Sequence, residues 1–216
     1  MALSDGVLTL LATVKTELSI SASTDDTYLE RLIETASDMI EAYCNRTFSY
    51  TAAIVETVRS YGFTDLRVSR MPLKTITSIT LDGSTVSSSN YTLHNANAGI
   101  IHSRYGWGWS AAVFQAAEYH GMKGTERAPY TVTYNGGFVC PAQTGTRDLP
   151  YDIEDACIQL VAARYRSRGR DPYVTSETIG AASESRGGTA TAESYGLPDQ
   201  VKLILNRYRR TPSAAT

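Results

Sequence analysis

Three histidines, three cysteines, several paired carboxylates and two arginine clusters are the residues of this chain that could do chemistry. A metal site needs ligands at reachable spacing. His94, His102 and His120 form no H-x-x-x-H and adjoin no paired cysteine, although His94 and His102 could face each other across a hairpin. Cys44, Cys140 and Cys157 are odd in number, widely spaced and without a C-x-x-C, so they read as buried free thiols of a reducing compartment. There is no G-x-S-x-G, and Gly106 and Gly108 lack the strand-to-helix context and the lysine of a phosphate loop. Asp25-Asp26 and Glu154-Asp155 stand where helix N-termini favour negative charge, which explains them without catalysis. The sequence nominates no catalytic residue, no metal ligand set and no cofactor. It reads as a non-enzyme.

The arginines are the remaining signal. Arg164, Arg166, Arg168 and Arg170 fall within seven residues, and Arg207, Arg209 and Arg210 lie near the carboxyl end. Helix C-termini favour exposed cations by ~0.3–1 kcal/mol each, which accounts for part of the clustering. The rest suits bidentate contacts to carboxylates across a subunit boundary or contacts to the phosphates of nucleic acid. Arg164 to Arg170 spread around their helix, so no single stripe chooses between the two. A net charge of −2 gives no bulk basicity that would advertise nucleic acid binding.

The elements that must position these residues begin with Leu149 to Pro172. Pro150 and an acidic first turn (Asp152, Glu154, Asp155) open a helix, and Ile153, Ala156, Cys157, Leu160 and Val161 form its core stripe. Arg164 and Arg168 continue that stripe, so the helix leaves its own core towards solvent or a partner. Gly169 and Asp171-Pro172 end it. Towards the amino terminus, Thr9 is placed to cap a short helix carrying Leu10, Leu11, Val14 and Leu18. Asp25 or Asp26 opens a longer one with the stripe Leu29, Leu32, Ile33, Ala36, Ile40, Tyr43 and Cys44. Residues 1–50 hold eight acids against three bases. That excess fits a solvated outer face or a docking surface for a basic neighbour, including another copy of the chain.

From residue 51 the period changes to two. Strands are expected over Ile54–Tyr61, Leu66–Ser69, Lys74–Leu81, Tyr91–His94, Gly99–His102 and Tyr130–Tyr134, with a hairpin turn at Asp82-Gly83. Tyr105 to Arg127 fits neither period and reads as a long loop on which Trp107 and Trp109 are possible contact residues. Tyr173 to Gly196 is rich in Ser, Thr, Ala, Gly and Glu, cannot bury much surface, and reads as a flexible arm or a segment that orders on binding. Leu197, Val201, Ile204, Leu205 and Tyr208 then share one face of a last helix ending in Arg207, Arg209 and Arg210. With 42% hydrophobic and 19% charged residues, 216 residues suffice for a real core, and no run of ~18 apolar residues suggests a membrane span.

The expected class is α+β. A helical body comprises two N-terminal helices (1–50), a central helix (149–172, helical over about 151–168) and a C-terminal amphipathic helix with tail (197–216). A small antiparallel β module (51–148, with the long loop 105–127) is inserted into it, and the arm spans 173–196.

Several phrases in order carry a resemblance: LTLLATVKTELSI, SASTDD, YLERLIETASDMIEAYCNRTF, LRVSRMPLKTITSITLDG, SSNYTLHNANAGIIH, YTVTYNGGF, DIEDACIQLVAARYRSRGRD and LPDQVKLILNRYRR. Together the layout resembles the head–tail adaptor (connector) proteins of tailed bacteriophages. Tyr105 to Arg127 is longer than that pattern. The resemblance implies a structural virion protein of the neck, assembled in the host cytoplasm as a homo-oligomeric ring, typically of twelve copies. Such a ring binds the portal protein, extends the channel through which packaged DNA passes without sequence specificity, and docks a neck or tail protein. Carried onto this chain, Arg164 and Arg168 would meet the acidic helix of the adjacent subunit (Glu30, Glu34, Glu41). Leu197, Val201, Ile204, Leu205, Tyr208, Arg209 and Arg210 would be portal-binding candidates. The competing reading is a non-enzymatic nucleic-acid-binding or assembly-chaperone protein that uses Arg164–Arg170 and Arg207–Arg210.

Overall fold

The computed structural model describes residues 3–60, 63–81, 83–107, 129–168, 176–179, 182–185 and 197–210. His120, Gly108, Trp109, most of the long loop, the stop signal after Arg168, the remainder of the arm and the tail after Arg210 lie outside the described residues. The chain divides into two compact units, Met1–Arg46 with Cys140–Thr216, and Thr47–Val139.

The first unit is helical: α1 (Leu11–Leu18), α2 (Asp26–Cys44), α3 (Tyr151–Arg166) and α4 (Asp199–Leu205). The expected stripes are the buried ones. Leu29, Leu32, Ile33, Ala36, Ile40, Tyr43 and Cys44 of α2 are buried, as are Ile153, Ala156, Cys157, Leu160 and Val161 of α3. Burying each larger aliphatic side chain contributes roughly 1.5–3 kcal/mol, which pulls α2 and α3 together. α2 ends at Asn45, whose φ of 50° is left-handed and whose N–H reaches Ala42 O; asparagine tolerates that conformation better than most residues. All three cysteines are buried and free, and burial pushes each thiol up to about 12. Thr9 does not cap α1. Leu10 holds that position, and Thr9 is buried with its hydroxyl turned to α3.

The second unit is β. Its strands are β1 (Thr51–Arg59), β2 (Asp65–Arg67), β3 (Leu73–Leu81), β4 (Ser84–Thr85), β5 (Tyr91–Asn95), β6 (Ile100–Ser103) and β7 (Pro129–Gly136). They form two antiparallel sheets, ordered β1-β7-β3-β4 and β2-β6-β5. β7 is central: Tyr134 lies opposite both Ile54 and Ile76, and Val132 opposite both Glu56 and Ile79. Its Tyr130, Val132 and Tyr134 are buried while Thr131, Thr133 and Asn135 between them are half-buried, the period of a strand with one covered face. Leu66, Val68, Leu73, Ile79, Ile101 and Trp107 complete that core. Gly83, at φ 79°, makes the tight connection between Leu81 and Ser84, where the turn was expected. The Ser/Gly-rich segment carries a local antiparallel pair, β8 (Ser176–Ile179) with β9 (Ala182–Ser185).

At the end of β7 the chain passes under its own backbone. Gly137 has φ 100°, and a Cβ there would run into the Ser49 carbonyl. Both conformation and space therefore demand glycine. Gly137→Ala is expected to destabilise the β unit by more than ~1 kcal/mol, measured as a lowered urea midpoint with the helical signal of the first unit followed separately.

Candidate functional site

Three polar seams hold the helices of the first unit, and they occupy many of the residues expected to meet a partner. At the start of α2, the Asp25 carboxylate accepts from Tyr165 Oη at 2.6 Å and from Arg168 Nη1 at 2.7 Å. The Arg168 guanidinium also lies over the Tyr28 ring, 4.7 Å from its centroid, and Arg31 approaches the same ring at 5.3 Å. The Tyr165 hydroxyl and the Arg168 charge hold the Asp25 carboxyl below the usual carboxylate range. Acid at one helix start and cation at the other helix end is what antiparallel helix dipoles favour. Arg164 Nη2 points at Met39 Sδ, several turns further along α2.

Arg168 and Arg164 thus meet Asp25 and Met39 of their own chain. Glu34 is also engaged locally, accepting from Ser4 N at 2.6 Å and Ser4 Oγ at 2.9 Å. Glu30, Glu34 and Glu41 are half-buried on the flanks of α2, and its most exposed stripe is Thr27, Arg31, Thr35, Asp38 and Ala42.

The second seam is a carboxylate that the sequence reading assigned only to the helix dipole. Glu154 is 7% exposed, takes Arg147 Nη1 at 2.6 Å on one oxygen and the Thr9 hydroxyl at 3.2 Å on the other. Arg147 also stacks on Tyr151 at 4.1 Å. The pair thus ties the segment before α1 to the segment before α3. No local signal marks it, because an acid in a first turn is expected anyway.

The third seam anchors the C-terminal helix. Leu197, Val201 and Leu205 are buried in the unit. Asp152 accepts the Tyr208 hydroxyl at 2.7 and 2.8 Å, Tyr43 Oη donates to Asn206 Oδ1 at 2.6 Å, and Arg210 N donates to Cys44 O at 2.8 Å. Arg209 lies over the Tyr43 ring at 5.2 Å. Most of the stripe expected to bind a portal is therefore used within the chain, Ile204 remaining half-buried. Asp199, Gln200 and Leu203 (71% exposed) face outward on this helix, and beyond its end Arg207 and Arg209 are exposed, Arg207 reaching Asp152 at 3.6 Å.

In the β unit, Trp107 is core rather than a loop contact. It is 2% exposed, donates from Nε1 to Ile101 O at 3.2 Å, and meets Tyr130 edge-on at 5.1 Å. His94 and His102 do face each other across the β5–β6 pair, with ring centroids 5.8 Å apart, and His102 Nδ1 lies 2.8 Å from Asp65 Oδ1. A shallow polar recess of about 330 Å³ adjoins, lined by Ser89, Asn90, Tyr91, Thr92, His102 and Arg104. Among the described residues no three His, Cys, Asp or Glu side chains are grouped to hold a metal ion, and no helix is long and apolar enough to cross a membrane. Glu56 points inward from β1 and accepts from Ser69 N, Ser69 Oγ and Tyr134 Oη at 2.9, 2.8 and 2.6 Å. Burial, then that carboxylate, raises the Tyr134 hydroxyl pKa.

The fold is thus an α+β chain, a helical body interrupted in sequence by a small antiparallel β unit. Residues 9–67 match the family model described as Phage gp6-like head-tail connector protein, so the resemblance read from the sequence holds over that stretch. Three solved structures share the fold along the whole chain, each covering 100% of this chain and 96% of its own. One is from the neck of an empty gene transfer agent (GTA) particle computed with C6 symmetry, at 14% identity and TM-score 0.55. The second is from the virion of a native GTA particle, at 15% and 0.52, and the third from the neck of a native GTA particle computed with C12 symmetry, at 16% and 0.52. No curated protein matches the sequence.

Two outcomes test these seams. Glu154→Ala leaves Arg147 without its carboxylate in a half-closed site and is expected to cost about 3 kcal/mol of unfolding free energy in urea titration. Burial, then Asp152, pushes the Tyr208 hydroxyl from 10.0 up to about 12. A folded pKa above the unfolded one adds stability that is whole below pH 10 and lost as pH climbs to about 12. The stability advantage of wild type over Tyr208→Phe should therefore stay constant to about pH 9 and shrink between 10 and 12.

Proposed function

We propose that this chain is a structural protein of a virion neck, a head–tail adaptor whose copies form a closed ring under the portal. The observation that carries the reading is a coincidence of two independent likenesses. The connector family model matches residues 9–67, and neck-particle proteins share the fold over the full length. Symmetric necks among those structures support a homo-oligomer, twelve copies being the favoured number. The ring is assembled in the host cytoplasm and then resides in the virion.

Within that reading, subunits meet head-to-tail through unlike surfaces, the arrangement that closes by rotation. The exposed stripe of α2 and the Arg166 side of α3 supply one pair of such surfaces, since Arg164 and Arg168 are already engaged by α2 of their own chain. The outward Leu203 and Arg209 of α4 supply the portal contact. A neck or tail protein docks below, and DNA passes through the channel without sequence readout. Engagement of Arg164 and Arg168 inside the protomer leaves the nucleic-acid-binding reading with fewer arginines to present, and the adaptor reading is preferred.

The test is cryo-electron microscopy of particles from cells expressing this chain with its genomic neighbours. A ring of this chain between head and tail is the expected result, and Leu203→Asp should leave the protomer folded by circular dichroism yet strip the ring from the portal. Particles lacking the chain, with the chain recovered on nucleic acid instead, would overturn the proposal.

A further inference from the structure

Two pieces of β structure in this chain are each incomplete. β8 and β9 pair with one another from Ser176↔Ser185 to Ile179↔Ala182 and form a two-stranded sheet of their own. A lone hairpin with strands that short is marginal in water. β1, in turn, ends its sheet: among the described residues its paired neighbour is β7, on one side. It is nine residues long, and after the irregularity between Thr51 and Ile54 its register runs unbroken to Arg59. The opposite edge of the same sheet, β4, is only two residues long. Edges are ordinarily shortened, bulged or covered because a row of backbone N–H and C=O groups invites another strand. β4 is shortened. β1, over Ile54 to Arg59, is not.

We propose that the β8–β9 hairpin of one copy adds to the outer edge of β1 in the neighbouring copy, so that this contact links successive subunits. The inference rests on the ring reading above. Each chain carries one donor hairpin and one acceptor edge, and a series in which every copy gives one and takes one is a head-to-tail contact that closes by rotation. The composition fits this use. A Ser/Thr/Ala/Gly/Glu-rich segment has little apolar surface to bury, but strand addition draws its affinity from main-chain hydrogen bonds. The six residues from Ile54 to Arg59 exceed the four of either hairpin strand, so the acceptor is long enough.

The experiment uses full-length protein. Thr57→Cys, on β1, and Thr178→Cys, on β8, are prepared separately, mixed and oxidised, the native thiols being buried. In parallel, residues 176–185 are replaced by a Gly/Ser linker of equal length and the oligomer is sized by analytical ultracentrifugation. The expected result is a disulfide-linked dimer in the mixture well above that in either variant alone. The linker variant should lose the ring while keeping its circular dichroism spectrum and melting midpoint. A mixture with no more disulfide-linked dimer than either variant alone would overturn the proposal. Rings that assemble unchanged with the linker overturn it as well, including the case where those rings no longer attach to necks, which would place the hairpin on a different protein. Particle composition separates the two readings. Absence of the chain from necks defeats the adaptor assignment itself, whereas its presence there with hairpin-independent rings defeats this contact alone.

Discussion

The packing of α2 against α3 is the constraint on which the rest of the molecule depends. These helices are separated by more than a hundred residues of chain, and bringing them together closes a long loop at an entropic cost. The apolar stripes supply most of the offset. Charge and hydrogen bonds add to this: Asp25 with Tyr165 and Arg168 ties the start of α2 to the end of α3, and Asp152 with Tyr208 ties the start of α3 to the residues after α4. Glu154 adds a third tie through Arg147 and Thr9. Once α2 and α3 are seated, α1 and α4 have a surface on which to pack. A seven-residue helix such as α4 would not persist alone.

The β unit solves a different problem, which is how to close an antiparallel core from short strands. Its answer is a central β7 with antiparallel partners on both sides and aromatic residues stacked behind it. Trp107, Tyr130 and Tyr91 make a continuous aromatic contact there. The inward carboxylate of Glu56, on an edge strand, takes three donors on one oxygen. Its hydrogen bonds commit one face of β1 to its own unit, and the edge of β1 away from β7 carries no strand among the described residues.

In the proposed role, the distinction between charges spent inside the protomer and charges left outside matters more than their number. Arg164, Arg168 and Arg147 are spent. Arg166 is outward, together with the exposed stripe of α2 that carries Arg31 and Asp38 and the apolar Leu203, while the exposed Arg207 and Arg209 also reach Asp152 and the Tyr43 ring of their own chain. Counting arginines along the chain would treat these two groups alike.

The sequence by itself determined the local elements. The stripe Leu29 to Cys44, the acidic first turn of α3, the alternation in Lys74–Leu81 and the Asp82-Gly83 turn all depend on neighbours within a few residues, where period and turn chemistry act directly. The α+β class followed from their order. Tertiary structure decided what no local pattern encodes. It made β7, rather than a strand adjacent in sequence, the partner of β1. It turned Thr9 from a helix cap into a buried donor to Glu154, and it buried Trp107 from a segment that reads as loop. It also turned Leu197, Val201 and Leu205 inward, because an amphipathic face looks the same in sequence whether its partner is a second protein or the helix next to it. Which of the two covers it depends on loop closure and packing over the whole chain, and those are properties of the fold.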